Sequence, residues 1–515
     1  MEMLHEHAEK NMTALLTDTR LLRGLRLAVD ALAGRCEGAE SKQIAAIAQM
    51  MLNELALHQD ADFHSGYLQR GVAILEQIPA RTIERFDAGE RDDIARMRSE
   101  VATQSAQGAG YAVISVRIDQ LRGLFCRLLT RMGGVPDQFG EWGSRALAWE
   151  TEWYRRMGLA EVPLHSEVAD TQQTLTRECL DAYLCNRFSQ RSDLRLVDYR
   201  PLTVGLQKLT VMFETEDSVV GSQQLVLRGE QPDRFAKFDF GEVREEFELV
   251  KFAFDAGLPV AEPLWVELDP KALGRRFMVG RRVEGINYGH ATGVSQMPAA
   301  VSRALITTLA KINTLPLDKH TARLAQMPLK RWLGCRSLAE NTRLYMQYWQ
   351  QLLQMHPLVN SPAMSTALTW LVNNVPQDEG TPGLLHCDYG PHNILVEGDQ
   401  VSAVLDWESA RIGDPTEDLV YFIQTSRGQV DREQMINWYE EAGGPHIGEF
   451  RMRYFEVFHV VKVLTACFAS NALYAAHDTA RNDWIPLMLK LAYQPLEALK
   501  ASLEAAEAAK GAVQG

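Results

Sequence analysis

Long hydrophobic runs are scarce in this chain of 515 residues. Its most apolar stretch, Val457 to Ala476, is interrupted by His459, Lys462, Ser470 and Asn471. Such a segment predicts a buried helix and not a membrane span. The first residues, MEMLHEHAEKNM, are polar and lack the apolar block of a secretory leader. Paired cysteines are missing as well. Cys36, Cys126, Cys179, Cys185, Cys335, Cys387 and Cys467 are odd in number and form no CxxC pair. That pattern argues against a zinc ribbon or a disulfide frame and predicts reduced thiols in a cytoplasm. No lysine or arginine run stands out, and the net charge is -14, which argues against nucleic acid as a partner. The pI is near 5.5. An acidic surface serves solubility first, and it would also attract a cationic substrate.

What is present suffices for several cores. The chain is 46% hydrophobic and 23% charged, ordinary for a globular protein, and too long for one domain. Residues 1–160 carry helical periodicity and few strand signals, which predicts an all-α bundle. Apolar positions recur from Leu15 to Leu32, 43–57, Tyr67 to Ile78, Arg117 to Met132 and Gly140 to Met157. The HEH at 5–7 reads as solvated. A linker is expected over Gly158 to Val168, then a helix from Thr171 to Phe188. The pattern changes to strands at Leu194–Leu202, Leu209–Glu216 and Gln223–Arg228. A helix from Glu242 to Ala256 is closed by Gly257 and Pro259, and another strand runs from Phe277 to Val283. These elements describe a small antiparallel sheet with one packed helix, spanning 161–285. Residues 286–510 are helical again, apart from one hairpin signal between Leu384 and Trp407.

That hairpin lies in the informative stretch, LLHCDYGPHNILVEGDQVSAVLDWESARIGDPTEDLVYF, from Leu384 to Phe422. Ile394–Val396 and Val401–Leu405 flank a Gly398-Asp399 turn. Folding the hairpin sets Asn393 beside Asp406, within roughly 7–8 Å at Cα. An amide oxygen and a carboxylate so placed are hard ligands suited to Mg²⁺ that also touches phosphate. Asp388 lies five residues before Asn393, on a loop facing the same space. Phosphoryl transfer needs this set: one carboxylate to receive a hydroxyl proton, and an Asp and an Asn for magnesium. A soft metal site of His386, Cys387, Asp388 and His392 is the rival reading, but adjacent side chains diverge and no second cluster accompanies them.

HCDYGPHN, the hairpin, DWE and GDPxxDL, in this order, resemble the aminoglycoside phosphotransferase and choline kinase superfamily, over about residues 166 to 500. The resemblance implies a bilobal, protein-kinase-like α+β fold, with a small antiparallel-sheet lobe and a helical lobe, preceded here by the all-α bundle. It implies Asp388 as catalytic base, Asn393 and Asp406 as Mg²⁺ ligands, and ATP as phosphoryl donor. His386 would pack beneath the loop and Trp407 would pack in the core. Asp414 and Asp418 would brace the loops or cap the following helix. In the strand lobe, VLR resembles the family strand whose basic residue, here Arg228, meets the phosphates, with Glu246 as its helix partner. The phosphate loop TVGLQKLT departs from the family pattern. It keeps only Gly205 and has Lys208 where a small polar residue is usual, so Lys208 would either touch phosphate or be solvated, and GTP use stays open. RFMVGRRVEG resembles the hinge, with Arg281, Arg282 and Val283 beside adenine. Cys387 stands where Gly is common.

RYFEVFHVVKVL, from Arg453 to Leu464, resembles a helix of the branch related to kinase domains fused to acyl-CoA dehydrogenases and to hydroxyacyl-CoA kinases. The reading is therefore an ATP- and Mg-dependent phosphotransferase acting on a hydroxyl of a small molecule, with a hydroxyacyl-CoA or hydroxy acid as candidate. An antibiotic kinase and a non-catalytic nucleotide-binding scaffold are the alternatives. The bundle would serve a homodimer, substrate contact or stability, and the sequence does not choose among them.

Overall fold

A computed structural model describes residues 61–514, apart from internal segments at 104–110, 134–135, 157–174, 203–207, 231–241, 291–292, 328, 336, 355–360, 378–379 and 477–483. The expected helices before residue 61, the HEH at 5–7, the linker, the start of the helix expected at Thr171 and Gly205 lie outside the described residues. The packing forms two compact units. The first draws on the helices of residues 61–156 and on 343–376 and 449–515. The second contains 165–342 and 377–448. Boundaries were expected at about 160 and 285, whereas these units take discontinuous parts of the chain.

In the first unit, α1 (Ala61–Glu76), α2 (Ala88–Thr103), α3 (Tyr111–Arg131) and α4 (Pro136–Arg156) follow the apolar periodicity. Gly140, at φ 57° and ψ -152°, breaks α4 near its start. α1 and α4 are locked by reciprocal bonds. The Tyr67 hydroxyl donates to the Trp149 carbonyl at 2.9 Å, and Trp149 Nε1 donates to the Tyr67 carbonyl at 2.8 Å. Their rings stack at 4.4 Å. Gly71 permits this approach, because a Cβ there would overlap Leu121 and Trp149. Distant segments join the same unit: the Ala363 amide donates to Glu150 at 2.9 Å, and the Tyr454 hydroxyl donates to the Leu371 carbonyl at 3.0 Å.

The second unit opens with α5 (Arg177–Arg187), capped by the Thr176 hydroxyl, which accepts from the Cys179 amide. β1 (Arg195–Leu202), β2 (Lys208–Asp217) and β3 (Gly221–Glu230) follow, then α6 (Val243–Asp255), β4 (Pro263–Glu267) and β5 (Phe277–Arg281). The antiparallel order is β1-β2-β3-β5-β4. β4 was not expected, because Pro263 opens it and its five residues show no clean alternation. Strand period two sorts the side chains. Leu209, Val211, Phe213, Leu225, Leu227 and Val279 are buried in one core with residues of α5. Lys208 and Arg228 fall on the opposite face.

Beyond the sheet, β6 (Ile286–Asn287) is followed by α7 (Ala299–Asn313). Then come β7 (Gly383–Leu385), β8 (Ile394–Glu397), β9 (Gln400–Val404) and β10 (Arg411–Gly413), with α8 (Thr416–Thr425) and α9 (Arg432–Glu441). The expected hairpin is β8-β9, turning at Gly398 with φ 60°. β6 adds a third strand to it, and β10 pairs with β7. This is an α+β, kinase-like fold with an antiparallel sheet followed by a helical region. In the helix Glu449–Ala476, which contains the apolar run, the sequence is too short of continuous hydrophobicity to cross a membrane; no described helix is long and apolar enough.

Candidate active site

The loop between β7 and β8 is held from below by one carboxylate. Asp418, in the first turn of α8, accepts the amides of His386 at 2.7 Å and Cys387 at 2.8 Å. Asn313 adds a bond to Asp418 at 3.2 Å and another to the Leu384 carbonyl at 2.9 Å. Of the two roles open for the aspartates, Asp418 braces the loop. Asp414 acts locally, accepting the Thr416 amide at 3.0 Å. Burial raises the Asp418 pKa, opposed in part by these amide bonds. Cys387 has φ 65°, which is why a glycine suits that position.

His386 is fully buried against the edge of the Trp407 ring at 4.9 Å, and Trp407 is itself buried. Its Nε2 lies 2.8 Å from the Leu405 carbonyl, and its Nδ1 accepts the Asp388 amide at 3.2 Å. The first contact requires a proton on Nε2 and the second a lone pair on Nδ1, so the ring is neutral. Burial pushes its pKa down accordingly.

Asp388 is one-third exposed and carries three side-chain donors. Tyr421 donates its hydroxyl to Oδ1, His392 Nε2 lies 3.3 Å from the same oxygen, and Asn393 Nδ2 donates to Oδ2 at 2.8 Å. Burial opposes ionisation here. The His392 charge and hydrogen bond and the Tyr421 hydroxyl outweigh it and hold the carboxyl below its usual range. Burial alone would lower the His392 pKa, but the Asp388 charge raises it. Tyr421 stays protonated, because burial and the neighbouring carboxylate push its phenol up.

The β8-β9 ladder then delivers the second acid. Ile394 pairs with Val404, and the Leu405 amide donates to the Asn393 carbonyl at 2.8 Å. Asp406 follows in the left-handed region, at φ 65° and ψ 63°. Asn393 spends its amide nitrogen on Asp388, both at Oδ2 and at the backbone carbonyl, 3.1 Å away. That fixes the amide and leaves its oxygen as the atom able to serve a metal. With the Asp406 carboxylate, which follows the ladder partner of Asn393, it would offer the hard oxygens that Mg²⁺ takes. No group of three or more His, Cys, Asp or Glu side chains arranged to hold a metal occurs among the described residues.

Two cations approach from the sheet. Arg228 Nη2 lies 2.7 Å from Asp406 Oδ1 and 3.3 Å from Glu246 Oε1, so the expected Arg228-Glu246 pair forms. Lys208 is buried, not solvated. Its Nζ pairs with Glu246 Oε2 and with Glu408 Oε2, the latter at 2.5 Å. Burial would lower the Lys208 pKa, but the charges of Glu246 and Glu408 raise it. Glu246 is held low by Arg228 and Lys208 despite its burial. Burial and the Asp406 charge push Glu408 up to about 7.

Arg281 and Arg282, expected beside adenine, lie at the end of β5 and just after it. The Arg281 amide donates to the Glu262 carbonyl at 2.9 Å, and the Arg282 amide to the Gln224 carbonyl at 3.0 Å. Their side chains pair with Glu262 at 2.5 Å and Glu284 at 3.2 Å. The structure therefore gathers Asp388, Asn393, Asp406, Arg228, Glu246 and Lys208, while the Arg281 and Arg282 side chains engage their own partners. Tyr421 and Glu408 were not singled out from the sequence. Tyr421 had one signal: it lies three residues after Asp418, on the same helix face.

The chain matches the phosphotransferase enzyme family over residues 198–455. It is 30% identical over 211 residues to acyl-CoA dehydrogenase family member 11 of Gallus gallus, covering 40% of this chain and 25% of that protein. The human protein of the same name is 26% identical over 258 residues, covering 49% of this chain and 31% of that one. The chain thus matches only about a quarter to a third of the length of these relatives. Among solved structures, a macrolide 2'-phosphotransferase from Brachybacterium faecium aligns with TM-score 0.43 and 20% identity, covering 60% of this chain and 98% of that one. A thermostable mutant of the aminoglycoside phosphotransferase APH(4)-Ia, in ternary complex with ADP and hygromycin B, aligns with TM-score 0.39 and 18% identity, covering 60% and 98%.

Proposed function

The chain belongs to the phosphotransferase enzyme family, and from that footing we propose that it moves the γ-phosphoryl group of ATP to a hydroxyl of a small molecule. The observation that carries this reading is the convergence of Asp388, Asn393 and Asp406 at the ends of one hairpin, with Arg228 on Asp406. Asn393 and Asp406 would hold Mg²⁺, which neutralises charge on the phosphates when bound.

Asp388 does the protein's part of the chemistry. A carboxylate offers about four lone-pair sites. Oδ1 already accepts from Tyr421 and His392, and Oδ2 accepts from Asn393. The remaining site on Oδ2 takes the acceptor hydroxyl. As the acceptor oxygen bonds to the γ-phosphorus, the bond to the bridging oxygen breaks and its electron pair leaves with ADP. The hydroxyl proton passes to Oδ2. A base with a depressed pKa suits a transition state in which proton transfer comes late and positioning dominates.

For the acceptor we favour a hydroxy acid or a hydroxyacyl-CoA. The similarity to part of acyl-CoA dehydrogenase family member 11 supports that class. Antibiotic phosphorylation is the second reading, favoured by the acidic net charge of -14. Purified protein with Mg-ATP should release ADP when offered hydroxy acids or their CoA thioesters. Asp388→Asn should lower turnover by at least about 100-fold while ATP still binds. Silence across the whole acceptor panel would count against the hydroxy-acid reading, and a raised inhibitory concentration in a sensitive host would favour the antibiotic one.

A further inference from the structure

The site holds one cation more than the simple scheme of a strand cation, a helix glutamate and a phosphate requires. Lys208 and Arg228 face three carboxylates, Glu246, Asp406 and Glu408. We propose that Lys208 is a positioning residue for the nucleotide: by tying Glu246 to Glu408 it frees Arg228 to face the phosphates and steadies the turn that carries Asp406. This rests on the kinase reading above.

The strand register puts both cations on one face of the sheet. Lys208 of β2 stands opposite Glu230, and Arg228 of β3 stands opposite Thr210, two rungs away. Their surroundings differ sharply. The side chains of Lys208, Glu246 and Glu408 are 5%, 1% and 5% exposed, whereas Arg228 and Asp406 are 21% and 28% exposed. The first three are an internal clamp, and the last two meet the solvent from which a nucleotide arrives. A buried carboxylate deprived of its partner is strongly unfavourable and recruits any cation within reach. Glu246 already has Arg228 at 3.3 Å. Lys208 satisfies Glu246 and Glu408 together, using two of its three ammonium donors. Arg228 then lies closer to Asp406, at 2.7 Å, and both of its ion pairs use the single nitrogen Nη2. A planar guanidinium with donors to spare is suited to bidentate phosphate recognition.

The clamp also joins three elements. Lys208 begins β2, Glu246 is in the first turn of α6, and Glu408 sits two residues after Asp406. Losing the lysine would draw Arg228 inward onto Glu246 and loosen the Asp406 turn in the same step.

The test is calorimetric titration of the full chain with Mg-ADP, well below its unfolding midpoint. Lys208→Met should weaken binding by about tenfold or more, and Lys208→Arg by no more than about threefold. Arg228→Met should cost about tenfold in the wild-type background but little more in the Lys208→Met background, because the two changes disable one contact. Should Lys208→Met fail to fold, the Lys208→Met/Glu408→Gln double variant removes one cation and one carboxylate together. It should still lose about fivefold, since Arg228 is then the only cation left for Glu246. A purely structural lysine would lower the unfolding midpoint and leave Mg-ADP affinity and the additivity of Arg228→Met intact, which would overturn the proposal. Asp406→Asn separates the two readings. If it weakens Mg-ADP binding but the Lys208 variants do not, the proposal alone falls. If wild-type protein binds no Mg-ADP, or Asp406→Asn is also silent, the nucleotide reading falls with it.

Discussion

Asp388 receives three side-chain donors, and each reaches it by a different route. Asn393 comes from the same loop, His392 from the residue before it, and Tyr421 from a helix more than thirty positions later in the chain. Motif spacing made Asp388 and Asn393 legible, since the loop is local. Tyr421 was not legible, because an aromatic residue in a helix looks like any core residue. Its hydroxyl orients the carboxylate, so Tyr421→Phe should lower kcat by about tenfold and leave the KM for ATP unchanged. Steady-state kinetics with any active acceptor would check that split. Lys208 makes the opposite case. Its position was flagged from the sequence, but a lysine at the end of a loop is ordinarily solvated, and only Glu408 and Glu246 explain its burial.

Elements owe their positions to close approaches as much as to propensity. Just after β6, Gly289 runs against the loop that carries Asp388, where a Cβ would overlap the His392 amide nitrogen and the Pro391 carbonyl carbon. Gly289→Ala should therefore shift that loop and cut turnover by more than about tenfold, at a cost to stability no larger than that of a typical substitution. Turnover measured beside a thermal melt would separate the two effects. In α3, burial pushes the Asp119 carboxyl up to about 6, with Arg122 at 3.8 Å pulling it back. The folded pKa then exceeds the unfolded value of about 3.9, so the folded state holds the proton more tightly. The resulting stability is fully present below about pH 4 and is lost as pH rises through about 6. Asp119→Asn removes the titration, so the variant should gain on wild type between about pH 4 and pH 6 in matched denaturant melts. Helices and hairpin strands were read well because their periods are local. β4 and the β7-β10 pair were missed, since five and three residues give no usable period, and pairing partners far away in sequence make them strands.

For the whole molecule, the nucleotide reading has a global consequence. A ligand that binds only the folded state stabilises it by mass action, about 2.7 kcal/mol at a hundredfold excess over Kd. Mg-ADP should accordingly raise the unfolding midpoint, and chelating the metal or introducing Asp406→Asn should remove most of that rise in a thermal melt. The grouping of the chain into two units was beyond sequence reading. Residues 343–376 and 449–515 carry ordinary amphipathic patterns, and such a pattern states that a face is buried without saying against what. Glu150 on Ala363 and Tyr454 on Leu371 supply the answer in the first unit. By itself the sequence made the phosphotransferase family legible from the stretch between His386 and Asp418, because one loop and one hairpin suffice to bring Asp388, Asn393 and Asp406 together. Tertiary structure decided how those groups are charged and held. Lys208, Glu246 and Glu408 come from three separate elements, and the burial that binds them into one clamp exists only once the sheet, the helix and the hairpin have packed.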